Sequence, residues 1–192
     1  MSSPSRRHAE SARAIGGPRS EVAADVSATV PDWSRERMRP WSWAPSRALL
    51  ATLRAHERAA ASGRPWSALV RRWLVWKHRF WSAVTGADIP LGCRIGGGLL
   101  LPHPNGVVIH PHAEIGPNCL IFQQVTLGAR HGGVPRVGGH VDIGAGAKVL
   151  GAVVIGDDAL IGANSVVLTD VPAGATALGI PAVVRRDDTG AS

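Results

Sequence analysis

The chain has 192 residues and a formal net charge of +7, but its excess of basic residues is confined to the first part. Residues 1–87 hold 15 Lys and Arg against 6 Asp and Glu, whereas residues 88–192 hold 6 against 8. No apolar run approaches the roughly 20 residues of a membrane span, and the N-terminus lacks the apolar core of a secretory signal. We therefore expect a cytoplasmic protein built from two unlike pieces.

The first piece divides into two segments by composition. Residues 1–44 are rich in Ser, Ala, Arg and Pro without an apolar period, which predicts a mostly disordered basic segment. Residues 45–86 predict a helical, Trp-rich region in which an aromatic stripe recurs at helical spacing. The stripe consists of Trp66, Leu69, Val70, Trp73, Lys77, Phe80 and Val84.

The sequence alone does not determine what this stripe packs against. We expect the stripe to pack on the rest of the chain or on a neighbouring subunit. Contact with an anionic membrane surface is a less favoured alternative, which the basic residues along the same segment support. Nucleic acid is not expected, because the basic residues are not interleaved with a recognisable binding module.

The second piece, residues 87–186, carries a repeat of six residues. A branched aliphatic recurs every six positions from Ile143 to Val167, and a small or β-branched residue stands two positions before each one. No helix has a period of six, whereas three flat six-residue sides close into a triangular coil. The repeat predicts a mainly β fold, a parallel β-helix with the aliphatic inside. The end of this region predicts a capping tail, and residues 187–192 a frayed terminus.

Two insertions interrupt the repeat. The step from Leu101 to Ile109 is eight residues and that from Leu127 to Val137 is ten. Extra residues in a solenoid leave the coil as loops, often on the functional face. The first loop contains His103 and the second contains Arg130 and His131, so these loops are where we expect the chemistry.

The first loop also predicts a specific pair. Asp88 lies fifteen residues before His103, and one coil of three six-residue sides takes about eighteen. The carboxylate and the imidazole are therefore predicted to share one corner. A His whose tautomer is fixed by a carboxylate serves as a general base near neutral pH.

Cys93 and Cys119 both stand at the inward position two residues before an aliphatic. Two cysteines form no disulfide framework, and buried thiols suit a reducing compartment. A catalytic cysteine is the less favoured interpretation.

Several motifs together resemble the serine O-acetyltransferases, trimeric left-handed β-helix enzymes of the hexapeptide acyltransferase superfamily. The resemblance covers about residues 86–186. The motifs are Asp88-Ile89-Pro90, Ile95-Gly96-Gly97-Gly98, His103-Pro104-Asn105-Gly106, Gln123 to Gly128, Ile143 to Gly151 and Gly179-Ile180-Pro181-Ala182.

The resemblance implies a left-handed coil, a homotrimer and transfer of an acetyl group from acetyl-CoA to L-serine in cysteine biosynthesis. It implies His103 as the base and Asp88 as its partner, with no metal. The pantetheine of CoA would pair with backbone near Ala129, Ala145 and Ala163 in a groove between subunits. Arg185 and Arg186 would meet its phosphates, and Arg130 and His131 would serve the acceptor.

Two departures from the family pattern concern the acceptor. The family has an acidic residue immediately before its catalytic His, where this chain has Pro102. The family's second loop carries an Arg-His pair directly before a Pro, where Gly133-Val134 precedes Pro135 in a loop four residues shorter. Serine remains the leading acceptor, and a sugar or polysaccharide precursor is the alternative.

Two further functions stay open as minor alternatives. One is a trimeric β-helix hydratase with zinc held by three His, drawn from His103, His110, His112, His131 and His140. We disfavour it because His110 and His112 would point to opposite faces of one strand. The other is a non-catalytic scaffold.

Overall fold

The structure is a computed structural model that describes residues 26–38 and 41–186. A 3-10 helix, Trp33–Glu36, precedes the helices α1 (Pro45–Ala61) and α2 (Ser67–Thr85). Short strands then follow one another to the end of the described chain. They are β1 (Arg94–Ile95), β2 (Val108–Ile109), β3 (Glu114–Ile115), β4 (Leu120–Ile121), β5 (Thr126–Gly128), β6 (Arg136–Val137), β7 (Asp142–Ile143), β8 (Lys148–Leu150), β9 (Val154–Ile155), β10 (Leu160–Ile161), β11 (Val166–Val167), β12 (Thr176–Gly179) and β13 (Ala182–Arg185).

The strands stack into three sheets that form the sides of a triangular coil, as the repeat predicts, and all of them are parallel except β13. Sheet A contains β2, β5, β8 and β11; sheet B contains β1, β3, β6 and β9; sheet C contains β4, β7, β10, β12 and β13. Ile143 pairs with Ile161 eighteen residues later, which is one full coil. The expected β-helix is confirmed.

The core is the stack of inward aliphatics. From β1 to β11 the second residue of every strand is buried, as are the preceding small residues such as Ala147 and Ala159. Neighbouring coils approach so closely at one corner that a Cβ on Gly144 would stand 2.6 Å from the backbone nitrogen of Ala163. Glycine is therefore required there by packing rather than by backbone conformation.

The two insertions leave this register intact. Asp88 pairs with Val108 twenty residues later, across the first loop. Ile115 pairs with Val137 twenty-two residues later, across the second. The surplus of two and four residues is thus contained in the loops, and the strands on either side keep their places.

Helix α1 covers the first coil and contributes Leu49, Leu50 and Leu53 to the same apolar core. Helix α2 ends at Gly86, whose φ of +67° gives the left-handed C-cap conformation that favours glycine.

The aromatic stripe does not pack on the rest of the chain, and packing on a neighbouring subunit stays a prediction. Leu69, Trp73 and Phe80 are 57% to 71% exposed in the protomer. The buried residues of α2 are instead Leu74, His78 and Thr85, which lie on the opposite face. Leu74 and His78 are one turn apart on the helix, so the face of α2 that packs against α1 and the coil is narrow.

Residues 26–38 form an N-terminal strap along the corner between sheets B and C (residues 96–98, 116–118, 138–140 and 156–158). The side chain of fully buried Asn118 accepts a hydrogen bond from the Asp32 backbone N–H at 2.8 Å. Its amide group donates to the carbonyls of Ser27 and Val30, each at 2.7 Å. The strap is the described part of the segment for which we predicted mostly disorder; the rest of residues 1–44, apart from 41–44, lies outside the described residues.

A second set of contacts fixes the end of the strap. The Glu36 carboxylate forms an ion pair with Arg54 of α1 at 2.9 Å. The same carboxylate accepts a hydrogen bond from the Leu99 N–H at 3.2 Å. The Trp33 ring covers Gly97, where an added Cβ would stand 2.6 Å from the ring. The strap therefore joins α1 to the coil through partly buried polar contacts.

The tail adds one strand to the coil. β13 runs antiparallel to β12, with Arg185 opposite Thr176 and Ala182 opposite Gly179. It pairs the outer edge of sheet C, which an open solenoid end would leave exposed. Residues 187–192, predicted to be frayed, lie outside the described residues.

Candidate active site

The loop that carries His103 lies at the corner between sheets C and A (residues 102–106, 122–124, 144–146 and 162–164), beside the end of α2. The Gly106 N–H donates to the Gly86 carbonyl at 2.8 Å. A Cβ on Gly86 would stand 2.7 Å from Nδ2 of Asn105, so the helix end and the loop are in close contact. The C-cap of α2 thus holds the His103 loop through Gly86.

Asp88 lies one coil before the end of this loop, in the line of sheet A. Its N–H donates to the Val107 carbonyl at 2.8 Å, and its own carbonyl accepts from Ile109 at 2.9 Å. His103 and Asp88 are both exposed in the protomer. Over residues 26–38 and 41–186 no hydrogen bond or ion pair joins the two side chains. The backbone brings the end of the His103 loop alongside Asp88, which pairs with Val108; the sharing of one corner by the two side chains stays a prediction.

His78 is a residue that sequence reasoning missed. It lies on the buried face of α2, and its Nδ1 has no hydrogen-bond partner within the described residues. Burial lowers the pKa of His78, while a hydrogen bond with the backbone of Ile89 and the negative charge of Asp88 act in the opposite direction. This imidazole is therefore close to the backbone of Asp88 and Ile89. Its spacing of four from Leu74 was the signal that placed it on the packed face.

The three alanines proposed for CoA occupy two corners. Ala145 and Ala163 lie in adjacent coils at the corner of sheets C and A, where the Asn164 N–H donates to the Ala145 carbonyl at 2.8 Å. The N–H groups of Ala145 and Ala163 make no hydrogen bond within the described part of the chain. Ala129 lies at the next corner, between sheets A and B (residues 110–112, 129–135 and 150–152), and its N–H is equally unpaired there.

The second loop is a small hairpin at that same corner of sheets A and B. Arg130 and Gly133 exchange two backbone hydrogen bonds of 3.0 Å, with exposed His131 at the tip at a φ of +51°. One side of the coil, six residues of about 3.3 Å each, separates this loop from the His103 loop. The protomer therefore does not bring Arg130 and His131 to His103.

The position of Arg185 follows from β13. It stands opposite Thr176, at the start of β12, whereas Ala163 lies beyond the end of β10 on the other side of sheet C. Both Arg185 and Arg186 are exposed. Arg185 and Ala163 therefore lie at opposite ends of the strands of sheet C.

The histidines considered for zinc are arranged differently from our expectation. His110 and His112 were predicted to point to opposite faces of a strand, which is wrong. Strand β2 ends at Ile109, so both residues lie in the turn, with ring centroids 5.6 Å apart. No group of three His, Cys, Asp or Glu suited to a metal ion is found among the described residues.

A second His–carboxylate pair exists away from the loops. Nδ1 of buried His140 lies 2.7 Å from Oδ1 of Asp158, at the corner of sheets B and C. The strap passes close by, since a Cβ on Gly139 would collide with the carbonyl of Ala28. This pair therefore joins two coils beneath the strap rather than facing an open cleft.

Both cysteines are buried, as their positions in the repeat predict. Burial raises the pKa of the Cys93 thiol to about 11 and that of Cys119 to about 12. The Cys119 Sγ also lies 3.2 Å from the Gly138 carbonyl, to which it donates. A thiol that stays protonated and enclosed is a poor nucleophile.

The chain is similar to serine acetyltransferases in sequence. No protein-family model matches it. It is 51% identical over 81 residues to probable serine acetyltransferase 3 of Oryza sativa subsp. japonica, a match covering 38% of this chain and 26% of that protein. It is 49% identical over 79 residues to the serine acetyltransferase of Helicobacter pylori, which covers 44% of that enzyme. The chain thus spans less than half the length of these curated relatives.

The chain is also similar in structure to solved serine acetyltransferases. Soybean serine acetyltransferase complexed with serine matches with a TM-score of 0.64 and 34% identity, over 80% of this chain and 66% of that one. A serine acetyltransferase complexed with CoA matches with a TM-score of 0.62 and 34% identity, over 74% of this chain and 57% of that one. The β-helix described here is therefore left-handed and serine acetyltransferase-like.

Proposed function

We propose that this protein is an acetyl-CoA-dependent O-acetyltransferase whose acceptor is L-serine, and that it acts in cysteine biosynthesis in the cytoplasm. The observation that carries the proposal is the His103 loop, held against the backbone at Asp88 in a β-helix that resembles enzymes solved with CoA and with serine. The buried, protonated thiols agree with a reducing compartment.

The chemistry assigned to this corner is general-base catalysis. Neutral His103 accepts the proton of the acceptor hydroxyl while the oxygen attacks the acetyl carbonyl of the thioester. A tetrahedral intermediate forms and collapses, the C–S bond breaks, and the CoA sulfur takes the proton from the His103 imidazolium. Asp88 holds the imidazole in the productive tautomer and stabilises its positive charge. The products are the acetyl ester and CoA, and no other reactant is needed.

The proposed CoA site requires a homotrimer. The pantetheine amides would pair with the unpaired N–H groups near Ala145 and Ala163 of one subunit and near Ala129 of the next. Arg185 and Arg186 would bind the phosphates through charge-assisted hydrogen bonds. A closed cyclic trimer is the simplest assembly in which every subunit contributes the same two corners.

Acetylation of a sugar or polysaccharide precursor is the second candidate. Pro102 favours it, because a proline directly before His103 supplies no carboxylate for the amino group of serine. Arg130 and His131 would then contact the acceptor from the neighbouring subunit, in whichever register the short loop allows. The two candidates share the donor, the base and the assembly, and differ only in the acceptor.

A thiol-release assay with acetyl-CoA and a panel of serine, homoserine, amino sugars and simple sugars tests the proposal. Serine should give the highest kcat/KM, whereas preference for a sugar would establish the second candidate. His103→Ala should lower kcat by roughly 10²–10⁴-fold with CoA affinity nearly unchanged, as loss of a general base does. Asp88→Asn should cost less, because the imidazole remains.

His131→Ala is the matched control. It also removes an exposed imidazole from a loop, but it should raise the acceptor KM more than it lowers kcat. Near wild-type turnover in His103→Ala would show that the dyad is wrong and would move the search to the second loop. If no acceptor in the panel causes release of CoA from acetyl-CoA, the proposed chemistry has no support.

A further inference from the structure

Helix α2 presents an aromatic face on the side opposite to the one that packs. At about 100° per residue, Leu74 and His78 point toward α1 and the coil, and Leu69, Trp76 and Phe80 point away from them. Trp76 is 70% exposed, Trp73 60% and Phe80 57%. With aromatic side chains of roughly 150–250 Å² each, the face exposes several hundred Å² of apolar surface. A face of this size on a soluble domain calls for a partner.

The charge around this face is of one sign. Helix α2 contains Arg71, Arg72, Lys77 and Arg79 and no Asp or Glu. Residues 45–86 as a whole hold eight Lys and Arg against one acidic residue, Glu57. Two of the cations lie against the exposed rings: Lys77 Nζ is 5.2 Å from the centre of Trp73, and the Arg79 guanidinium is 5.7 Å from that of Trp76.

This combination decides between the two kinds of occupant. Arg72, Lys77 and Arg79 border the face, whereas Arg71 lies on the side of His78. If two copies of this face met about a two-fold axis, three cations would face three cations without a carboxylate on either helix. An anionic lipid surface instead accepts Trp and Phe rings at the level of its headgroups and attracts the surrounding Arg and Lys. Within the described residues neither helix is long and apolar enough to cross a membrane, so the contact would be peripheral.

We propose that the exposed face of α2 docks the protein on an anionic membrane surface. The helix would lie in the plane of the headgroups, with Trp73, Trp76 and Phe80 inserted and Arg72 and Arg79 at the lipid phosphates. The face belongs to the same helix whose C-cap supports the His103 loop, so a docked protein would hold that loop near the membrane. This inference is independent of the acceptor and of the acetyl transfer itself.

Vesicle co-sedimentation of the full chain tests the proposal. The protein should bind vesicles of phosphatidylglycerol mixed with phosphatidylcholine, bind phosphatidylcholine alone far less, and be released by salt. Trp73→Ala with Trp76→Ala should weaken binding at least about tenfold, since one buried ring contributes more than the 1.4 kcal/mol that corresponds to that factor. Arg72→Ala should weaken it roughly fivefold.

Arg58→Ala is the matched control, because it removes one exposed cation from α1 and leaves the α2 face unchanged. It should alter vesicle binding less than twofold. The proposal is overturned if the wild type does not bind anionic vesicles, or if the double Trp variant binds as the wild type does. In the first case, a smaller particle in light scattering for the double Trp variant would assign the face to contact between copies of the chain.

Discussion

Replacement of Asn118 by Ala should release the N-terminal strap while the coil remains folded. The side chain makes three hydrogen bonds to strap backbone, to Asp32, Ser27 and Val30. Each contributes about 0.5–1.5 kcal/mol net. Since water can reach the exposed carbonyls once the strap lifts, we expect about 2–3 kcal/mol of strap-docking free energy to be lost.

Hydrogen exchange measures this loss directly. At 1.4 kcal/mol per factor of ten, protection of the Asp32 amide and of peptides within residues 26–38 should fall roughly 30- to 150-fold. Peptides from the coil interior, such as residues 141–155, should keep their protection. The measurement is made by mass spectrometry on the native protein at constant pH.

Asn164→Ala is a closely matched control. Asn118 and Asn164 both have positive φ, 61° and 55°, so both substitutions place Ala in the same unfavourable left-handed conformation. Each Asn side chain stands directly above a glycine of the preceding coil, Gly98 or Gly146. Asn164 makes no contact with the strap. If residues 26–38 lost the same hydrogen-exchange protection in both variants, the reasoning would be refuted. The loss would then come from the strained Ala conformation that the two variants share, and not from the missing hydrogen bonds.

Three further outcomes are expected. Native Cys93 and Cys119 should resist a bulky thiol reagent at neutral pH and react fully only after unfolding, with Cys93 gaining reactivity as the pH approaches 11; rapid native labelling would contradict their burial. Arg185→Ala with Arg186→Ala should raise the KM for acetyl-CoA several-fold in a salt-dependent way, and an unchanged KM would place the phosphates elsewhere. Because the folded pKa of His78 lies below its unfolded value near 6.5, its stability contribution is complete above that pH and declines as pH falls; denaturant titrations should show this slope reduced in His78→Phe.

The coil could be predicted because the same physical constraint recurs in every turn of it. Each inward position, from Ile89 to Val167, occupies the same kind of enclosed site, so residue type repeats with the geometry. The two insertions could also be predicted, since extra residues within a fixed period must leave the coil as a loop. The placement of the His103 loop beside Asp88 follows from counting residues per coil.

The strap could not be predicted, because its order comes from contacts distant in sequence. Asp32 and Asn118 are 86 residues apart, and the Ser, Arg and Pro around Asp32 show no period. A hydrogen-bonding corner such as Asn118 orders a neighbouring segment without leaving a pattern in that segment. Composition alone therefore favours disorder where buried polar contacts decide otherwise.

The aromatic stripe shows a different limit. Helical periodicity separates the two faces of α2 but does not say which one is buried, and counting apolar residues favours the wrong face. The His110–His112 error has a different cause: residues two apart on a strand point to the same face, and both histidines lie beyond the end of β2.

The hairpin of the second loop keeps loop length independent of coil geometry. Gly128 and Leu150 still pair below the loop, and Ile115 and Val137 still pair beyond it. Loop-closure entropy grows only slowly with length, so residues 130–134 can be lengthened, shortened or exchanged at little cost to folding. If Arg130 and His131 contact the acceptor as proposed, the hairpin is the segment to randomise when one selects for new acceptors.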